Sequence, residues 1–266
     1  MRQPTATVTA APIRQERPGL LVSVRNVDEA IRLVGLDLAI LDVKEPGAGA
    51  LAPAKPSTWR EIVLANRQVG MQFPLSLALG ECNDAVEIAD QVPQEVQFAK
   101  AGPAGCKTLA TLTRHWQTLR ERLPMGVELV AVAYADHQAA SCPPPQQVFA
   151  AAAEIGLRTW LIDTYKKDGR TTCDHMNQCC LDAVATLARE HQARWVLAGS
   201  MQSNIATRLL GEALWPDYFG VRGDVCDGSR ADGLSRDKVL GWLEMLGQCD
   251  ANTQPNRASI SHVAKL

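Results

Sequence analysis

The sequence lacks the features that define several large classes of protein. Its 266 residues contain no apolar run long enough to span a membrane, and its first residues, "MRQPTATVTAAPIRQERPG", have no apolar core of a secretion signal. A large excess of charge of one sign is also missing, since the net charge is -2 and the pI is near 6.2. Such a balance does not attract nucleic acid or an anionic membrane. We expect a cytoplasmic protein that binds neither.

The eight cysteines form no pattern that is typical of a disulfide framework or of a metal site. No Cys-x-x-Cys pair occurs, and no cysteines and histidines follow one another at the spacing of zinc ligands. A chain of this length can bury a large core and does not need disulfide bridges for stability. We therefore expect reduced thiols, most of them in the core, and neither a metal nor another cofactor.

Short β-rich apolar runs alternate with amphipathic stretches from residue 20 onward, as expected for repeated βα units. The eight predicted strands cover residues 20–24, 38–43, 74–79, 95–100, 128–134, 159–164, 194–199 and 218–222. Helices are predicted at 27–35 after an Asn26 cap, and at 57–67, 145–156, 174–191 and 235–246. The pattern predicts an α/β protein with a single (β/α)8 TIM barrel at 19–248, between flexible tails at 1–18 and 249–266.

A doubly wound open sheet is the alternative fold. It would normally have fewer strands and a glycine-rich nucleotide turn after the first one. This chain has "SVRNVDEA" at that place, which favours the barrel.

Charged residues stand at the ends of several predicted strands. They are Asp42 and Lys44, Lys100, Asp136, Asp163 and Lys167. Because strand ends of a barrel surround one mouth, these side chains are expected to converge. Any one of them could be a solvated loop residue, but together they indicate a functional site.

Lysines in such a mouth suit imine chemistry with a carbonyl compound. Only the neutral amine attacks, and at an ordinary pKa about one amine in 2,500 is neutral at pH 7. Neighbouring lysines and burial both lower the pKa, while Asp42 and Asp163 can orient amines and transfer protons. Carbon-carbon bond chemistry through an imine follows as a reaction class.

The last two strands suggest a phosphate site. Barrels often bind phosphate with backbone N–H groups after strands seven and eight. The residues in that position are Gly199, Ser200, Gly220, Arg222 and Gly223. The glycines could serve only as tight turns, but together with the lysines they suggest a phosphorylated carbonyl substrate.

Six segments resemble the (5-formylfuran-3-yl)methyl phosphate synthases of methanofuran biosynthesis, over about residues 20–230. They are "LLVSVRNVDEA", "DVKEPGAGALA", "FAKAGPAG", "DTYKKDG", "LAGS" and "GVRGDVC". The resemblance implies a metal-free barrel lyase that condenses two molecules of glyceraldehyde 3-phosphate with loss of phosphate and water. It implies that Lys44 forms the Schiff base, that Lys100 is the general base, and that Asp42, Asp163 and Lys167 support them.

The sequence departs from the family pattern in places that carry none of these residues. "DVKEP" replaces the "DVKNP" of archaeal members, and the loop from 82 to 93 differs. An imine aldolase of other sugar phosphates and a non-catalytic phosphometabolite-binding barrel remain as alternatives. We expect a homo-oligomer, as is common for such barrels.

Overall fold

A computed structural model describes residues 17–68 and 70–247. The predicted tails at 1–18 and 249–266 fall outside these residues, except for residues 17 and 18. None of the helices in the described part combines the length and the apolar character needed to cross a membrane.

Eight parallel strands close into a barrel in chain order, with β1 paired to β8, which confirms the predicted fold. The strands are β1 Gly19–Val24, β2 Ile40–Val43, β3 Leu75–Glu81, β4 Phe98–Gly102, β5 Glu128–Tyr134, β6 Thr159–Asp163, β7 Arg194–Leu197 and β8 Tyr218–Val221. Each predicted strand overlaps an observed one. Strands that are neighbours in sequence are therefore also neighbours in the barrel.

Helices cross over between successive strands, because parallel neighbours cannot be joined by a hairpin. They are α1 Val27–Arg32, α2 Pro56–Gln68, α3 Cys82–Ile88, α4 Leu109–Arg122, α5 Pro145–Glu154, α6 Thr172–His175, α7 Gln178–Glu190, α8 Ser203–Gly211 and α9 Arg236–Met245. Short 3-10 helices cover Ala89–Gln91 and Gly223–Val225.

Side-chain capping explains where two of these helices begin. The predicted cap at Asn26 is confirmed, since its side chain accepts a hydrogen bond from the Glu29 N–H at 3.0 Å. The prediction of a single helix at 174–191 is wrong. The chain forms α6 first, and α7 begins only after Asn177, whose side chain accepts from the Cys180 N–H at 3.0 Å.

The alternation of side chains along each strand divides the buried residues into two sets. On β1, Leu20 and Val22 pack in the layer between sheet and helices, whereas Leu21 belongs to a smaller cluster inside the barrel. The inward positions of β2 are Ile40 and then Asp42, two residues further along. Apolar side chains thus fill the barrel interior, and polar side chains occupy the inward positions nearer the mouth.

A buried ion pair joins the end of β8 to α1, beside the seam where the barrel closes. The Arg222 guanidinium donates to both carboxylate oxygens of Glu29, at 3.0 Å for the Nη2 contact, and also to the Ser23 carbonyl at 3.1 Å. Both side chains are almost fully buried. A charge buried in this way is strongly destabilising if its partner is removed.

We expect Glu29→Gln to lower the free energy of unfolding by about 3–5 kcal/mol, because Arg222 would remain buried without a counter-charge. Glu212→Gln is the matched control, since Glu212 forms an exposed pair with Arg208 at 3.1 Å whose loss should cost less than about 1 kcal/mol. Urea unfolding curves of the two variants measure both values. Equal losses would show that the buried pair does not stabilise the seam.

Candidate active site

The carboxyl ends of the strands surround a cavity of about 260 Å³. The predicted residues that line it are Lys44, Lys100, Asp163, Lys167, Gly199, Ser200, Gly220, Arg222 and Gly223. Asp42 is fully buried directly behind Lys100. The structure therefore brings these ten predicted residues together, from positions up to 181 apart in the sequence.

Lys100 and Asp42 form a buried ion pair between β4 and β2. Their Nζ and Oδ1 atoms are 2.7 Å apart, and neither side chain is more than 4% exposed. The second oxygen of Asp42 accepts a hydrogen bond from the Ser23 hydroxyl at 2.8 Å. Ser23 on β1 thus orients the carboxylate, a role that the sequence analysis did not predict.

Asp163 and Lys167 form a second pair, after β6. Lys167 Nζ donates to Asp163 Oδ1 at 2.6 Å and to the Thr164 hydroxyl at 3.1 Å. Burial raises the pKa of Asp163, but Lys167 and Lys44 outweigh that effect, so that the pKa lies below its ordinary value. Asp163 is therefore an anion at neutral pH.

Lys44 differs from the other two lysines in its contacts. Within the described residues its amine makes no hydrogen bond or ion pair, although its side chain is buried. Burial lowers the pKa of Lys44 from 10.5 to about 7, with help from Lys167 and Lys100 and against Asp163 and Asp42. About half of the Lys44 amines are then neutral at pH 7, which is the state that attacks a carbonyl.

Asp136 supports the mouth rather than lining it. Its carboxylate accepts hydrogen bonds from the backbone N–H groups of Tyr165 at 2.6 Å and Lys166 at 2.9 Å. These residues belong to the loop between Asp163 and Lys167. Asp136 therefore fixes the loop that carries the second ion pair.

Residues that follow β7 and β8 bring backbone N–H groups to the lining of the cavity. In the described part of the chain, those of Ser200 and Gly223 donate to no protein acceptor. Gly199 has a φ of +88°, and a Cβ atom there would lie 2.9 Å from the Thr164 nitrogen and overlap the Thr172 hydroxyl. Only glycine suits this turn, which leaves the adjacent N–H groups open to an anion.

Arg222 lines the cavity, but its contacts do not support the predicted contact with a phosphate. All five N–H donors of its guanidinium are used, by Glu29 and by the carbonyls of Ser23, Arg230 and Asp232. The physical reason is the buried carboxylate of Glu29, which lies 193 positions away in the sequence.

Arg230 is a cavity residue that the sequence analysis missed. It comes from the loop between β8 and α9, and its guanidinium donates to the Gly49 carbonyl at 3.1 Å. No carboxylate forms an ion pair with it among the described residues. Its remaining donors are therefore available to an anion in the cavity. Its position inside a loop gave no sequence signal.

Comparison with known proteins identifies the family. The sequence model of the 4-HFC-P synthase family matches residues 20–242, which include every cavity residue named above. The chain belongs to the 4-HFC-P synthase family. The resemblance found in the sequence is thereby confirmed.

Two relatives of the 4-HFC-P synthase family match nearly from end to end. The (5-formylfuran-3-yl)methyl phosphate synthase of Methanosarcina mazei is 30% identical over 245 residues, which cover 87% of this chain and 99% of that protein. The corresponding synthase of Archaeoglobus fulgidus is 28% identical over 235 residues, with coverage of 85% and 97%.

Solved structures support the fold of this 4-HFC-P synthase family member at low identity. Phosphoribosyl anthranilate isomerase from Thermus thermophilus matches with a TM-score of 0.58 and 13% identity, over 86% of this chain and 98% of that one. The (S)-3-O-geranylgeranylglyceryl phosphate synthase from Thermoplasma acidophilum matches with a TM-score of 0.56 and 11% identity, over 87% and 94%. These likenesses concern the barrel alone.

The lowered pKa of Lys44 predicts a distinctive dependence of its reactivity on pH. The amine is protonated below its pKa, so labelling by a limiting amount of acetic anhydride should rise through a midpoint near pH 7 and then level off. Mass spectrometry of peptides measures this, and the exposed Lys55 in the same samples corrects for the reagent. A Lys44 curve parallel to that of Lys55 would contradict the lowered pKa.

Asp163→Asn should move the midpoint for Lys44 to lower pH. The carboxylate of Asp163 favours the charged amine, and the amide of asparagine does not. Asp168→Asn, at an exposed position on the same loop, is the control and should leave the midpoint unchanged. An upward shift in Asp163→Asn would show that the carboxylate does not act on Lys44 by its charge.

Proposed function

We propose that this protein condenses two molecules of glyceraldehyde 3-phosphate to (5-formylfuran-3-yl)methyl phosphate, through a Schiff base on Lys44, in methanofuran biosynthesis. The observation that carries the proposal is the buried, unpartnered amine of Lys44, with a pKa of about 7, between two lysine-aspartate pairs. Membership of the 4-HFC-P synthase family supports the product, and the cavity chemistry supports the route.

The first step is attack of the neutral Lys44 amine on the aldehyde of one triose phosphate. The resulting carbinolamine loses water to give an imine, and protonation of the imine nitrogen makes the neighbouring C–H acidic. Removal of that proton gives an enamine, which is the nucleophile for the second aldehyde. Lys44 is thus the residue that forms a covalent bond with the substrate.

The two ion pairs supply and accept the protons of these steps. Lys100 faces the cavity and can pass a proton to Asp42, which Ser23 holds in place. Lys167 and Asp163 form a second pair that also acts on Lys44 by its charges. Proton transfer by positioned groups of this kind typically contributes about 10²–10⁴ to a rate.

The substrate phosphates require donors that the protein has not already used. The N–H groups of Ser200 and Gly223 and the guanidinium of Arg230 meet this condition. An arginine and backbone N–H groups together bind a phosphate through charge-assisted hydrogen bonds. We assign this side of the cavity to a phosphate of the substrate, with Arg230 in place of Arg222.

The overall reaction balances without an oxidant or a reductant. Two triose phosphates give one furan phosphate, one inorganic phosphate and two molecules of water. Loss of the phosphate and the waters creates the aromatic ring, which makes the reverse reaction unfavourable. The protein therefore needs only acid-base and imine chemistry, and the cavity residues provide both.

The direct test is to mix the purified protein with glyceraldehyde 3-phosphate and to follow ultraviolet absorbance for a conjugated furan aldehyde. Mass spectrometry identifies the product. Lys44→Arg keeps the positive charge but does not readily form an imine, so we expect nearly complete loss of turnover. Lys55→Arg, at an exposed position, is the control and should retain full activity.

Borohydride trapping separates the alternatives in this assay. A triose trapped on Lys44 without a furan product would indicate an imine aldolase of other specificity. Neither trapping nor product would favour a phosphometabolite-binding barrel. Substantial turnover by Lys44→Arg would overturn the assignment of the Schiff base to Lys44.

Asp42→Asn tests the role of the first ion pair. We expect kcat to fall by roughly a hundredfold or more, because Lys100 would lose its proton acceptor, while borohydride still traps substrate on Lys44. Asp84→Asn, at an exposed position on α3, is the control. Loss of trapping together with turnover would place Asp42 in imine formation rather than in the later proton transfers.

A further inference from the structure

Three metal-ligating side chains that are distant in the sequence meet outside the cavity. They are Cys82 at the start of α3, Cys106 in the loop after β4, and His115 in α4. Each offers one ligand atom, and the three atoms all lie within 4.8 Å of one another. Among the described residues no other group of three or more such side chains comes this close.

The distances suit a tetrahedral ion. With Zn–S bonds of about 2.3 Å and Zn–N bonds of about 2.0–2.1 Å, a sulfur and a nitrogen ligand lie roughly 3.6 Å apart. Cys106 Sγ and His115 Nδ1 are 3.4 Å apart in the structure. The two ligands are therefore already at close to the separation that a zinc ion requires.

Burial argues against a reactive cysteine at this place. Cys82 is 0% and Cys106 is 1% exposed, so a substrate of the size of a sugar phosphate does not reach either sulfur. His115 is partly exposed, which gives an ion and one water molecule a path from solvent. The arrangement suits a small cation better than a nucleophile for a substrate.

The two thiols of the cluster interact with each other. Hydrogen bonds from Cys82 and His115 lower the pKa of Cys106 to about 6, against the opposing effect of burial. The hydrogen bond to Cys106 and burial raise the pKa of Cys82 well above its ordinary value, so this thiol keeps its proton. Binding of a metal to these sulfurs would release the thiol protons to solvent.

We propose that Cys82, Cys106 and His115 bind a zinc ion, with a water molecule as the fourth ligand. Two thiolates and an imidazole are typical ligands of zinc, whereas magnesium and calcium prefer oxygen ligands. This site departs from the metal-free chain expected from the sequence. It lies outside the cavity and does not depend on the proposed function.

The role of the ion is to hold the loop that follows β4. Lys100 lies in this strand, and the loop continues from Gly102 to Cys106. The Ala104 N–H donates to Glu81 at 2.9 Å and the Gly105 N–H donates to the Ala140 carbonyl at 2.9 Å, so the loop is tied down next to the cluster. Zinc would add a link from this loop to α3 and α4.

Metal titration of the full chain, prepared without a histidine tag and freed of metal by a chelator, tests the proposal. We expect one equivalent of zinc per chain and a rise in Tm on binding. Cobalt in place of zinc should give a thiolate charge-transfer band and the intense visible bands of a four-coordinate ion. His115→Ala, at a partly exposed position, should weaken binding roughly tenfold or more.

Two further variants complete the experiment. The double variant Cys82→Ser/Cys106→Ser should lose the charge-transfer band and the bound equivalent. Cys226→Ser is the matched control, because Cys226 is a buried thiol that donates to the Arg222 carbonyl at 3.1 Å, and serine keeps a donor there. Cys249→Ser, at a position outside the described residues, excludes a contribution from that cysteine.

Three results would overturn the zinc site. The first is zinc binding that is unchanged in the double variant and in His115→Ala. The second is a cobalt complex without the thiolate band. The third is a disulfide between Cys82 and Cys106 in protein purified under reducing conditions, detected as a mass lower by two hydrogens.

Discussion

Three lysine amines meet in the mouth of the barrel, but among the described residues only two of them form an ion pair with a carboxylate, and the electrostatics of the site depends on this imbalance. Two of the amines are paired, Lys100 with Asp42 and Lys167 with Asp163. Lys44 has no ion-pair partner among the described residues and is buried, and its desolvation favours the neutral amine. A third carboxylate next to Lys44 would restore its charge and remove its nucleophilicity.

The barrel determines the positions of the charged side chains in the mouth. Strand alternation places Asp42 and Lys44 on the inner side of the same strand end, and pairing between neighbouring strands sets the height of Ser23 beside Asp42. The buried Arg222–Glu29 pair lies beside the seam, where β1 pairs with β8, and links α1 to the end of β8. The low pKa of Lys44 depends on this burial, because an amine exposed to solvent has its ordinary pKa.

The fold and the lysine set could be predicted from the sequence because both depend on local patterns. Eight apolar runs indicate eight strands, and a charge at the end of a run points into the mouth of any barrel. The role of Arg222 could not be predicted, since its partner Glu29 reaches it only when the barrel closes. Loop paths and helix packing leave no periodic signal in the sequence. They determine the position of Arg230 and the proximity of Cys82, Cys106 and His115, which therefore could not be predicted.

The buried amine of Lys44 also has a consequence for folding. In the unfolded chain Lys44 has its ordinary pKa and binds a proton that the folded chain holds less tightly. Proton linkage then opposes folding below pH 7 by about 5 kcal/mol, and this penalty fades as the pH rises from about 7 toward 10.5. The burial of this amine therefore acts against thermodynamic stability, and the rest of the barrel must compensate for it.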